Sequence, residues 1–462
     1  MSLLIQNGEI ITADERYTAD IYCEGETITR IAKDLSAPPG TEIIDASGKF
    51  VFPGFIDPHV HLHLPYKDTF AKDTYETGTR AALMGGTTCV MDFCTPAPGQ
   101  DPMEAFDIWT SMSMGKAACD YTWHLSVTRF DDRTEPSIHR IVADEGITSF
   151  KIFLAYKGAL GISDEELYGV LGLAKRLGVI TAAHCENADI VSSLQNKLIS
   201  EGKTGPEWHY HSRPPYVEAE GTGRLMTFAR AHDAHVYVVH LSCDEALREA
   251  MRAKHAGVHA HVETLIQYLT LDMSYAELAE FEGAKYVMSP PLRKRSNQDI
   301  LWNAIRQRFI STVATDHAPF DFKDQKYEMG KNDFTNIPNG IPSLEERIKL
   351  LYTHGVIKGR IDIHTFVDCA STQAAKIFGL FPRKGTIQPG SDADMVVFDP
   401  EHEDTITADT HAMNIDYSAF EGWKVMGRPE VVTVRGEVAV QNGSFVGTYG
   451  RGRRIQREPN HF

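Results

Sequence analysis

The sequence predicts an α/β protein, a (β/α)8 TIM barrel with a small β-sandwich domain built from both chain ends. Three observations predict it. Across residues 54–383 of the 462, short β-branched or apolar runs alternate with longer amphipathic stretches, and eight such runs can be counted. No Gly-rich dinucleotide fingerprint follows any of them, which places the alternative, an open doubly wound sheet, behind the barrel. The two ends, 1–53 and 384–445, instead read as short strands broken by turn residues, and 446–462, closing on GRGRRIQREPNHF, reads as an extended C-terminal arm.

In chain order, the first end offers strands at 3–12, at 20–31 with a turn near Gly25, and at 42–51 with Gly48 between. The eight barrel runs are 55–62, 87–93, 121–127, 149–156, 179–187, 236–243, 258–268 and 311–320, with helices expected at 164–177, 218–232 and 243–255. The strand texture returns at 394–398 and at 431–440, where Gly436 interrupts a valine-rich stretch and Asn442-Gly443 follows as a hairpin dipeptide.

Composition then narrows the function. The acidic residues number 63 and the basic 46, so the formal charge is −17. Because that charge is spread along the chain, neither nucleic acid nor an anionic membrane is an expected partner. No window nears the ~20 apolar residues of a membrane span, and MSLLIQNGEI carries no basic leader, so a cytoplasmic protein is expected. Seven cysteines at irregular spacings, with no C-x-x-C, suit reduced thiols.

The 20 histidines are the unusual feature. In Asp57-Pro58-His59-Val60-His61, strand alternation points both imidazoles to one face. An isolated pair is weak evidence of a metal. Yet Lys151 in SFKIFLAY, His184 in ITAAHCEN, His240 in YVVHLSC and Asp316 in VATDHAPF each fall towards the C-terminal end of a different expected strand, the rim where barrel enzymes build their sites. Imidazoles and a carboxylate suit Zn²⁺ or a similar first-row ion. Lys151 is the anomaly, since an ammonium has no lone pair to offer. His124, His209, His211, His259 and His261 are read as structural or surface residues, with no acid partner set for the last two at the rim.

These residues, with the stretches VFPGFIDPHVHL, SFKIFLAYKG, AHCENA, VVHLSC, MSPPLR, ATDHAPF and IPNGIPSLEER, resemble the cyclic amidohydrolases of the metal-dependent amidohydrolase superfamily, specifically the D-hydantoinase and dihydropyrimidinase group, across essentially the whole length. The resemblance implies two divalent ions, most consistently Zn²⁺, bridged by Lys151 carboxylated on its Nζ. His59, His61 and Asp316 would hold one ion, and His184 and His240 the other. Such a pair, about 3.5–4 Å apart, makes water nucleophilic at neutral pH and polarises a carbonyl. Asp316 would carry the proton to the departing ring nitrogen, and Tyr156 would donate to the oxyanion. Ser289 and Asn339 would fix the cyclic imide edge. Leu64 within 62–66, Phe93, Cys94 and Phe153 would form the apolar pocket for the ring substituent.

The implied activity is opening of dihydropyrimidines and 5-substituted hydantoins to N-carbamoyl amino acids, by a homotetramer or at least a homodimer. Dihydroorotases and allantoinases resemble the same barrel, and the metals do not choose among them. Where dihydroorotases place an arginine for the substrate carboxylate, this sequence has His63, which counts against an anionic substrate. A non-catalytic dihydropyrimidinase-like scaffold is disfavoured because all six ligand positions are filled by competent residues.

Overall fold

The computed structural model describes residues 2–459. Met1 lies outside the described residues, as do Asn460, His461 and Phe462, which end the expected arm.

Each expected barrel run contains one strand: β1 (Phe55–Asp57), β2 (Thr87–Cys94), β3 (Asp120–Ser126), β4 (Ser149–Phe153), β5 (Ile180–His184), β6 (Val236–Val238), β7 (Ala260–Leu265) and β8 (Thr312–Ala314). Sequential strands are parallel neighbours throughout. Between β8 and β1 the pairing shrinks to one parallel bridge, Val60 with His317. Arg347 stitches the seam beneath it: the buried guanidinium donates to Ile56 O at 2.9 Å and Val313 O at 3.0 Å, with Asp57 at 3.7 Å. A planar fork reaches both strand ends where the backbones cannot reach each other.

The outer helices follow the amphipathic stretches. In α1 (Asp164–Leu177), Ser163 and Glu166 form a reciprocal capping box, Gly178 ends the helix at φ 67°, and Leu167, Val170, Leu171 and Ala174 pack inward. The stretches at 218–232 and 243–255 become α2 (Pro215–His232) and α3 (Asp244–His255). No helix of the described residues is long and apolar enough to cross a membrane.

The two ends build a pair of sheets, and the N-terminal segment is split between them. Ser2–Gln6 joins a four-stranded sheet while Glu9–Ile11 joins a seven-stranded one that also holds Phe50–Pro53, Met395–Thr405 and Lys424–Val434. The chain crosses over at Asn7 (φ 63°) and Gly8, where a Cβ would stand 2.5 Å from the Val51 side chain, so the single expected strand at 3–12 is two. Leu3, Ile5, Ile10, Ile21, Val51, Met395 and Val397 fill the space between the sheets. Asn442 and Gly443, both at positive φ, turn the last hairpin.

The described part of the C-terminal arm does not extend away. Tyr121 of β3 exchanges backbone bonds with Arg453 and Ile455 at 3.0 and 2.7 Å. Arg457 lies buried at the floor of the barrel, donating to Thr122 Oγ1, Ser149 Oγ and the carbonyls of Trp123 and Phe378. The tail packs on its own barrel through arginine donors, a mode that leaves no apolar periodicity in the sequence. Next to it Lys384 binds Asp120, Asp392 and Asp394 at 2.7, 3.0 and 2.6 Å, and Arg435 binds Asp120. That acidic trio already has its cations, and it ties the sandwich to the barrel.

Candidate active site

Lys151 sits within β4 and His184 ends β5, while the other site residues sit on the turns that follow strands that stop early. His59, His240 and Asp316 each lie two residues past the end of β1, β6 and β8, and His240 (φ 41°) and Asp316 (φ 48°) are left-handed. Such backbone costs of order 1–3 kcal/mol per residue and persists where the surroundings impose it. Here it goes with convergence: His59, His61, Lys151, His184, His240 and Asp316 all line one cavity of about 360 Å³. Tyr156, Ser289, Asn339, Leu64 and Phe153 line it too.

His59 Nε2 and His61 Nε2 stand 3.1 and 3.0 Å from the same oxygen of Asp316. Burial pulls the His59 imidazole down, but the carboxylates of Asp316 and Glu263 more than offset this and raise it to about 9. Asp316, which burial would raise, is held well below the usual carboxylate range by the same two imidazoles. A cation bound at these nitrogens would compete with the proton that the raised His59 imidazole favours. His184 and His240 rings pack edge to face at 4.6 Å, with His240 facing His59 at 5.5 Å. The Nδ1 atoms of His61 and His240 are buried with no hydrogen-bond partner, and such orphans require an explanation. One carboxylate and four imidazoles are a donor set that fits first-row ions, and His59, His61 and Asp316 already lie close enough together to share one.

Lys151 is buried on β4, its Nζ between the rings of Phe93 and Phe153 at 5.0 and 5.2 Å, and among the described residues no carboxylate pairs with it. Burial lowers it to about 8, with Asp316 and Glu263 opposing. Burial likewise pushes the Tyr156 phenol up to about 12, so it remains a donor at neutral pH, and the Ser289 hydroxyl bonds to its oxygen. Asn339 Oδ1 is a buried acceptor without a partner on the cavity wall.

Two expected pocket residues are placed differently. Phe93 is buried beneath the site, its ring 4.8 Å from His61, 4.6 Å from His59 and 4.8 Å from His124, and it lines no part of the cavity. Its ring shares the barrel interior with these imidazoles and packs against them in the layer beneath the cavity. Cys94 is also buried and lines none of it. Met288, Ala318 and Phe320 supply apolar wall instead. His63, at φ 55°, turns onto Phe70 with ring centroids 4.2 Å apart, and no arginine lines the cavity.

Four contributors escaped the sequence reading. Glu263 of β7 accepts from His59 Nδ1 at 2.7 Å, from the His240 N–H at 2.8 Å and from the Tyr237 hydroxyl at 2.8 Å. Glu186 accepts from His184 Nε2 at 2.7 Å and pairs with buried Arg213. His209, read as structural or surface, donates from Nε2 to Met288 O at 2.9 Å and contacts Ser289 Oγ at 3.2 Å. A carboxylate in the apolar stretch AHVETL, where a buried charge demands a partner, was the available signal for Glu263. His124, by contrast, is structural, bonded to Ser149 Oγ and Pro58 O.

Comparison with known proteins agrees with this geometry. The model of the amidohydrolase family matches residues 50–439. A D-hydantoinase of Geobacillus stearothermophilus is 45% identical over 99% of this chain and 97% of its own. A dihydropyrimidinase of Rattus norvegicus is 37% identical over 99% of this chain and 89% of its own. The solved structure of a D-hydantoinase (dihydropyrimidinase) from Thermus sp. superposes over 100% of both chains with a TM-score of 0.98 at 60% identity.

Proposed function

We propose a reaction from one premise, that the chain belongs to the amidohydrolase family: it is a cyclic amidohydrolase that opens dihydropyrimidines and 5-substituted hydantoins to N-carbamoyl amino acids. The observation that carries the reading is the convergence of six ligand-type side chains, two with orphaned imidazole nitrogens, on one cavity. In this reading His59, His61 and Asp316 would hold one divalent ion and His184 and His240 a second, with Lys151, once carboxylated on Nζ, adding an anionic oxygen ligand; Zn²⁺ would suit the nitrogen and oxygen donors. When bound, the ions polarise the ring carbonyl and make water nucleophilic at neutral pH.

The chain's own residues do the rest. Asn339 Oδ1 accepts from the ring N–H and Ser289 orients the imide edge. As the water oxygen bonds to the carbonyl carbon, Tyr156 donates to the oxygen that gains charge. Asp316 takes the water's proton and delivers it to the ring nitrogen as the C–N bond breaks, leaving a carboxylate and a ureido group. Glu263 and Glu186 fix the His59 and His184 rings, as partners of ligating imidazoles do.

The test is a panel of initial rates on metal-replete protein with dihydrouracil, phenylhydantoin, methylhydantoin, allantoin and dihydroorotate. Overlapping activity on the first three is expected, because one methylene in an apolar wall is worth only ~1–3 kcal/mol. Dihydroorotate should be poor, since among the described residues no arginine lines the cavity to clamp its carboxylate bidentately and the lining Lys67 already donates to Asn336. A larger kcat/KM for dihydroorotate or allantoin than for every hydantoin and dihydropyrimidine would move the chain to another branch of the family. Assembly as a homotetramer, or at least a homodimer, in the cytoplasm belongs to the same reading and is supported by the resemblance; a single-chain mass in light scattering would remove the assembly.

A further inference from the structure

Three of the segments that line the cavity come from distant parts of the chain, and one short helical turn holds all three through their neighbours. That turn is Phe322–Tyr327. Its Lys326 is completely buried, and the Nζ donates to Val287 O at 3.1 Å and Pro338 O at 2.9 Å, with no carboxylate paired to it among the described residues. Each acceptor lies immediately before a cavity segment: Met288 and Ser289 follow Val287, and Asn339 follows Pro338. Val287 O also accepts from the Gly340 N–H at 3.0 Å, so the two segments meet at the ammonium.

The preceding residue faces the other way. Gln325 Nε2 donates to Thr69 Oγ1 at 2.7 Å and Phe70 O at 3.0 Å, and its Oε1 accepts from the Asp321 N–H at 2.6 Å. Thr69–Phe70 pairs with Pro65–Tyr66, and the Ala71 N–H closes on Leu64 O at 2.9 Å. Leu64, Pro65 and Tyr66 line the cavity.

We propose that Gln325 and Lys326 are positioning residues that divide the substrate between them: Lys326 sets the distance between the Ser289 and Asn339 loops that read the ring, and Gln325 holds the hairpin that meets the ring substituent. The inference rests on the reaction proposed above. A lysine is an expensive group to bury, and burial lowers this one to about 7, whereas a methionine would fill the same space without that cost; charged or neutral, the Nζ keeps at least two donors for the two carbonyls. What lysine adds is three directional donors from one point, able to join two carbonyls of separate segments. Neither residue touches the ligand cluster, so their effect is separable from that of the ions.

The experiment is steady-state kinetics of Lys326→Met, Lys326→Gln and Gln325→Leu on dihydrouracil, which has no substituent, and on phenylhydantoin, with metal content measured alongside. Lys326→Met should raise KM about tenfold for both rings, the loss expected when a charged donor leaves two buried carbonyls unpaired, with kcat and metal content near wild type. Lys326→Gln, which can keep one of the two bonds, should recover part of the loss. Gln325→Leu should raise KM for phenylhydantoin roughly fivefold and leave dihydrouracil unchanged. If Lys326→Met does not fold, the other two variants carry the test. Equal shifts on both rings from Gln325→Leu, or Lys326 variants that lower kcat or metal content with KM unmoved, would overturn the proposal. A wild type that opens neither ring would instead overturn the reading of the reaction.

Discussion

Lys151→Ala is expected to lose metal and activity together, by a factor of at least ~10³, equivalent to about 4 kcal/mol of barrier. The side chain is buried among two phenyl rings and four imidazoles, where an ammonium gains little and would compete with any cation held by those imidazoles. Burial has already brought it down to about 8, so a useful fraction is neutral amine near neutrality. That amine can bond to the carbon of CO₂ and release a proton, which turns a misfit cation into an anionic oxygen ligand. Short carboxylic acids, entering the space left by the truncation, should therefore restore part of both metal content and rate. Metal analysis beside initial rates checks this. Full metal content in Lys151→Ala would end the bridging role.

Tyr156→Phe should lower kcat by ~10²–10³, about 2.7–4 kcal/mol, the usual consequence of removing one oxyanion donor. Its phenol is raised to about 12, with burial as the main cause and the Arg213 guanidinium opposing, so the proton is present throughout the neutral range. Arg213 sits over the ring at 5.5 Å, and the left-handed backbone at φ 58° holds the residue where the loop enters the cavity. Phenylalanine keeps the ring and these contacts, so KM and metal content should change little. A variant that loses only KM would assign Tyr156 to ground-state binding and leave the oxyanion without this donor.

The barrel and the six residues that meet in its cavity were legible because each lies within a short motif whose neighbours declare a strand: His240 in YVVHLSC and Lys151 in SFKIFLAY can be placed by periodicity alone. The supporting shell was not. Glu263 acts on a histidine 204 residues away in sequence, a contact that only the closed sheet shows, while Glu186 reaches His184 locally from two residues on. Phe93 misled for a related reason: an inward-facing aromatic residue at a strand end can line the cavity or fill the layer beneath it, and only the packed barrel shows which. The tail misled because Arg457 is satisfied by hydroxyls and carbonyls, partners that leave no pattern of their own.

The split of the N-terminal segment between two sheets also sets a timetable. Val51 pairs with Val397, roughly 350 residues later, so at the ordinary pace of translation the early strands wait about 20–70 s for the partner that covers them. During that interval Ile10, Val51 and Phe52 have only local neighbours, and the edge of Phe50–Pro53 that will receive Met395–Thr405 is an open template for another nascent chain. Overexpression, which raises the density of such half-made chains, is therefore expected to be limited by aggregation during synthesis rather than by the stability of the finished enzyme. Slower initiation or cooler growth should raise the soluble yield without any change in sequence.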